Sequence, residues 1–119
     1  MAEIRIENGD VIVHLGLLEK AGALHGDVRI PRSAVTAVRV AENPFAEIKG
    51  IRFPGTGVPG LIALGTWRRK EAREFVCVYR GQSGVVIELD SRFAPYKRVI
   101  LSSRDPNGVR KLLAMQADV

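Results

Sequence analysis

The sequence is poor in the residues that usually carry chemistry. It has one cysteine and two histidines in 119 residues, so no internal disulfide can form and nothing points to an oxidising compartment. The lone thiol, Cys77, sits between Val76 and Val78, where a cysteine acts as a small buried apolar residue rather than a thiolate. His14 and His25 have no carboxylate or thiolate neighbours at metal-ligand spacing. No G-x-S-x-G elbow surrounds Ser33 or Ser91, and no two carboxylates have an acid–base spacing. Long apolar runs are missing as well: nothing nears the roughly 18 residues of a membrane-spanning helix. The opening Met-Ala-Glu-Ile-Arg-Ile has neither the basic start nor the apolar run of a secretory leader. These absences predict a cytoplasmic, non-enzymatic chain without metal or cofactor.

What is present reads as one globular domain over residues 1–119, with 46% apolar and 26% charged residues. The net charge of +5 is spread along the whole chain. Nucleic-acid footprints come as a clustered patch or stripe, so this spread argues against a nucleic-acid partner.

Strand signals dominate. Residues 4–7 and 11–15 flank Asn8-Gly9, the strongest short hairpin signal because both positions tolerate positive φ. Residues 17–21 are expected to form an irregular connector. Residues 27–30 read as a strand stopped by Pro31, which lacks an amide donor; a corner follows, then a strand over 35–40. Asn43-Pro44-Phe45 starts a turn, 48–53 a brief strand, and 54–60 reads as loop. Residues 61–67 are apolar on both faces, as in a central strand. Further strands are expected over 73–79, 85–89 and 97–102. With no βα alternation, the pattern predicts seven or eight antiparallel strands.

One helix is expected, over 103–119. Asp105 can accept its first free amide protons and Pro106 presets φ at its first position. Val109, Leu112, Leu113 and Gln116 mark its narrow apolar face, which suits a plug at the end of a curled sheet.

Gly55-Thr56-Gly57-Val58-Pro59-Gly60 matches G-x-G-x-x-G. A dinucleotide site needs a helix after those glycines, but Leu61-Ile62-Ala63-Leu64 reads as strand, so a flexible loop explains them. The densest basic feature is Arg68, Arg69, Lys70 and Arg73 beside Trp67, tempered by Glu71 and Glu74. A hairpin tip of this kind could contact phosphate on a lipid headgroup or nucleic acid. Lys97-Arg98 and Arg110-Lys111 read as solvated faces.

The run Ile30-Pro31-Arg32-Ser33-Ala34-Val35-Thr36-Ala37-Val38 resembles a corner common in bacterial pleckstrin-homology (PH)-like domains. Val58-Pro59-Gly60, Leu64-Gly65-Thr66-Trp67, Val86-Ile87-Glu88-Leu89 and Asp105-Pro106 follow in the order of an actinobacterial branch of unknown function. The resemblance implies a PH-like partly open barrel or sandwich of about seven antiparallel strands, four and three, capped by one C-terminal α-helix. It also implies an adaptor that binds rather than catalyses. The basic pattern of lipid-binding members falls on Arg5, Glu7, Asp10 and His14, one arginine with two acids, so their phosphoinositide site is not carried over. The leading expectation is a binding module that meets a protein partner through strand edges or loops, with self-association open to it. The alternative is binding to an anionic ligand or membrane surface through Arg68, Arg69, Lys70 and Arg73.

Overall fold

The computed structural model of the chain describes residues 1–58 and 60–117, without the side chains of Phe53, Met115, Gln116 and Ala117. Pro59 of the glycine motif, the face taken by Gln116 and the last two residues of the expected helix therefore lie outside the described residues.

The first hairpin forms where Asn8-Gly9 places it: both residues have positive φ, 50° and 80°, the pair of conformations a two-residue primed turn requires. It joins β1 (Glu3–Glu7) to β2 (Asp10–His14), and β3 (Val28–Pro31) completes a three-stranded sheet in the order β1-β2-β3. A 3-10 turn over Arg32–Ala34 carries the chain into the second sheet. That sheet holds β4 (Val35–Ala41), β5 (Ile51–Val58), β6 (Ile62–Arg69), β7 (Ala72–Tyr79), β8 (Gly84–Leu89) and β9 (Arg98–Ser102) in the order β4-β8-β9-β7-β6-β5.

The protein is thus mainly β, two sheets with a C-terminal helix, and among the described residues neither sheet closes into a barrel. Its details differ from the sequence reading. Among the described residues there are nine strands, divided three and six rather than four and three. One pair is parallel: β9 slots between the arms of the β7–β8 connection, antiparallel to β8 and parallel to β7. The segment read as a loop over 54–60 is mostly strand β5. Its glycines serve close approach to β6, for a Cβ on Gly55 would lie 2.1 Å from the Leu64 carbonyl oxygen. A bulge between Arg52 and Gly55 accommodates the irregular register.

The connector expected over 17–21 is a helix, α1 (Leu17–Ala23). Its two leading leucines are exposed, so it has no apolar stripe to betray it. Glu19 holds it instead, accepting the Gly16 N–H at 2.9 Å and reaching β7 at Tyr79 and Cys77. Leu24 ends the helix in the left-handed region, at φ 53°.

The second helix, α2 (Pro106–Ala117), starts as expected, with Asp105 Oδ1 accepting the Gly108 N–H at 3.0 Å. It lies against β4, β8 and the 32–34 turn. Leu113 is the fully buried plug and Val109 packs beside it; Leu112 is only half-buried, on the rim. Arg32 donates from Nε and Nη2 to the Leu113 carbonyl at 3.1 and 2.7 Å, which fixes the helix over the corner.

Both faces of the six-stranded sheet are buried. Between the sheets lies the main core, including Val11, Val13, Ile30, Phe75, Ile87, Val99 and Leu101. On the outer face Ala41, Ala63, Trp67, Val76, Val78, Val86 and Ile100 form a second cluster, covered by Phe45 and Ile48 from the segment between β4 and β5.

Candidate functional site

The basic residues singled out in the sequence do not form one patch at a hairpin tip. Only Lys70 and Glu71 make the β6–β7 turn; Arg68 and Arg69 belong to β6, and Arg73 to β7. Side chains alternate across a strand, so the three arginines divide between two faces. Trp67 and Arg69 share the outer face with Glu74, while Arg68 stands opposite Arg73 on the other. Trp67 is largely buried in the outer cluster and borders a separate hollow beside Phe45 and Ile48, away from these cations.

Arg69, Lys70 and Arg73 come together instead with residues from the connection between β8 and β9. The two segments are stitched by the Lys97 N–H to the Arg73 carbonyl at 2.8 Å and by Arg73 Nη2 to the Pro95 carbonyl at 3.1 Å. The Arg73 guanidinium also stands 5.5 Å from the centre of the Tyr96 ring, a favourable cation–π contact that fixes its position. Two hollows open at this end of the sheet, of about 530 and 370 Å³, and share Glu71, Ala72, Ser91 and Lys97. Arg69 and Lys70 line the first and Arg73 the second; Arg68 lines neither.

The electrostatics of this cleft are uneven. Among the described residues Lys70, Arg73 and Lys97 have no carboxylate oxygen within 4.0 Å. Arg69 is tied by one long contact, 3.5 Å from Nη2 to Glu74 Oε2, and its buried Nε has no partner among the described residues. Glu71 is the one carboxylate in the lining. Nearby, Arg92 is neutralised by Asp90, whose carboxyl its hydrogen bonds hold below the usual range.

Sequence reasoning missed Ser91 and Lys97, and misread Arg98. Lys97 is exposed, as expected for a solvated face, but Arg98 is buried. It donates from Nε and Nη2 to Glu74 at 2.6 and 2.9 Å and from Nη2 to the Glu47 carbonyl at 2.6 Å. The apolar alternation around it, Val99 inward and Ile100 outward, was a signal that the strand is buried on both sides.

Elsewhere the chemistry is quiet. Cys77 is buried, and burial together with the neighbouring Glu19 carboxylate pushes its thiol up to about 12, so it stays protonated at neutral pH. His14 contacts Asp27 at 3.0 Å, and His25 Nε2 meets the Tyr96 hydroxyl at 2.9 Å. Among the described residues no three histidine, cysteine, aspartate or glutamate side chains converge on a metal-binding position, and no helix is long and apolar enough to cross a membrane. The molecule defined by this fold and this cleft is a two-sheet β protein with a basic end. Comparison with protein-family models, curated proteins and solved structures finds no match for the chain.

Proposed function

We propose that the protein is a non-enzymatic interaction module that takes an anionic group at the cleft between the β6–β7 turn and the β8–β9 connection. The observation that carries this reading is the convergence of Lys70, Arg73 and Lys97, each without a carboxylate partner among the described residues, around two adjoining hollows that also expose the Ser91 hydroxyl. Arg69 adds a fourth cation to the lining.

The chemistry fits phosphate or carboxylate oxygens, carried by a lipid headgroup or free in solution. Two assays separate these sources: co-sedimentation with vesicles containing phosphatidylserine, and titration with inorganic phosphate followed by the amide resonances of Lys70, Ser91 and Lys97. Binding to the vesicles should weaken steeply with salt. Each cation near an anionic surface is worth about 1 kcal/mol, so Lys70→Gln/Arg73→Gln/Lys97→Gln should lose roughly 100-fold in affinity while keeping its circular dichroism spectrum. Undiminished binding by that triple variant, or no response to either probe, would overturn the assignment.

A further inference from the structure

Seven large apolar side chains are exposed among the described residues, and six of them belong to α1, β5 and the residues directly after these two elements. Leu17, Leu18 and Leu24 stand on or at the end of α1; Ile51, Val58 and Leu61 belong to β5 and the turn after it. The leucines of α1 are 85%, 88% and 70% exposed, an unusual state for three residues of one short helix, and clustered exposure of this kind marks a contact surface. The register places Ile51 and Val58 on the side of the sheet where α1 lies. Ile51, Thr56 and Val58 pair with Arg68, Leu64 and Ile62, the side on which α1 lies, and the Thr56 hydroxyl donates to the Gly22 carbonyl of α1 at 2.6 Å.

β5 is also the end strand of the six-stranded sheet, with one row of backbone groups facing away from β6. Such edges invite pairing unless charges, prolines or a covering element block them. The other edges are blocked by charge or cover. β1 exposes Glu3, Arg5 and Glu7, β3 exposes Arg29, and β4 carries the Arg39–Glu47 ion pair and is flanked by α2. On β5 the only charge is Arg52, and its guanidinium is folded back onto the Gly57 carbonyl at 2.9 Å. Pro54 has no amide donor and the Gly57 carbonyl already accepts from Arg52, so the edge is open in part, over Gly55, Thr56 and Val58.

We propose that this edge is covered by a second copy of the chain, β5 pairing antiparallel with its symmetry mate while the α1 leucines pack across the two-fold axis. The open backbone row calls for a β-strand rather than a lipid or small molecule. A second copy supplies such a strand together with an apolar surface identical to the one that must be covered, as an isologous contact requires. Charge favours the antiparallel arrangement. Arg68 lies opposite the Ile51 end of β5, so antiparallel pairing sends the two basic ends in opposite directions. An eight-residue strand separates them by about 26 Å, well beyond the ~8 Å screening length of physiological salt; parallel pairing would bring them together.

Sedimentation over a concentration series tests this directly. The mass should rise from 13.0 kDa towards about 26 kDa, and added salt should leave the dimer intact or strengthen it, opposite to its effect at the anion cleft. Leu17→Lys/Leu18→Lys changes two exposed side chains and should stay at the monomer mass with an unchanged circular dichroism spectrum; Leu17→Ser/Leu18→Ser is the milder pair should the lysines disturb α1. Amide hydrogen exchange in β5 should slow as the wild type associates. A wild type that remains monomeric to millimolar concentration overturns the proposal, as does a dimer that survives in both double variants. Association without added protection in β5 would refute the strand pairing. A monomer that instead sediments with uncharged phosphatidylcholine vesicles would give the leucines to a lipid surface.

Discussion

Two buried carboxylates fasten the segments that cover opposite faces of the six-stranded sheet, and they are held by different means. Glu74, fully buried on the outer face, is met by a bidentate guanidinium from Arg98, which also grips the Glu47 carbonyl of the covering segment. Glu19, on the α1 side, is met by neutral donors: the Tyr79 hydroxyl at 2.6 Å, the Cys77 thiol at 3.2 Å and the Gly16 N–H at 2.9 Å. The nearest cation, the Met1 amino group, is 3.7 Å away. Opposite charge stabilises one clamp and oriented dipoles the other. Only the first leaves an uncompensated ion when its partner is removed; the second loses its donors one at a time.

Removing the partner charge should therefore have the largest effect. Arg98→Ala leaves Glu74 buried with only the distant Arg69 and frees the Glu47 carbonyl, a change expected to cost about 3–5 kcal/mol in urea unfolding. Arg98→Met combined with Glu74→Leu should recover most of that loss, because apolar isosteres replace buried pairs well. A single variant within about 1 kcal/mol of wild type would mean that Glu74 finds another partner and that the outer clamp is not ionic.

At the other clamp Tyr79→Phe removes one charge-assisted hydrogen bond and should cost about 1.5–3 kcal/mol. The Glu19 clamp should also respond to acid. Burial alone would raise the Glu19 pKa, but the hydrogen bonds from Tyr79, Gly16 and Cys77 outweigh it and hold the carboxyl below its ordinary value of 4.5. A depressed folded pKa means that the unfolded chain takes up the proton first. The resulting stability is fully present above the unfolded pKa and is lost as pH falls through the folded one. Glu19→Gln should flatten the stability curve below about pH 4.5 while leaving the slope from Glu47 and Asp27. Glu47 is held low by the Arg39 hydrogen bond, and Asp27 chiefly by the Leu15 N–H. An unchanged acid slope would show that the Glu19 contacts do not persist in solution.

The contrast between the clamps also explains what the sequence could and could not reveal. Local signals were legible: Asn8-Gly9, Pro31 at a strand end, and Asp105-Pro106 each dictate a backbone conformation from adjacent residues. The alternating runs gave the strands and thus the mainly-β class. Long-range pairings were not legible. Helix α1 lacks an apolar face, and its anchor lies 58 and 60 residues away at Cys77 and Tyr79. The glycines of β5 look like a loop until β6 is laid against them, and β9 entering between β7 and β8 has no signature within any one strand. Of the expected anion site, Arg69, Lys70 and Arg73 line the cleft. Arg68 lines neither hollow although it shares a sheet face with Arg73, and Lys97 joins the other cations only through the β8–β9 connection, which no local pattern foretells.

The smallest expected effect concerns how α1 ends. Leu24 sits at φ 53° with its side chain 70% exposed, and its N–H and that of His25 close the helix onto Ala21 and Lys20. A left-handed conformation costs an L-residue about 1–2 kcal/mol, and here no buried contact repays it, whereas glycine adopts it freely. Leu24→Gly should therefore stabilise the monomer by up to about 1 kcal/mol, the gain being trimmed by the greater freedom of glycine in the unfolded chain. Measured at dilution, this isolates the helix end from any association through the leucines. A destabilised variant would mean that Leu24 makes contacts that outweigh its strain, and α1 would then be held at its C-terminus as well as through Glu19.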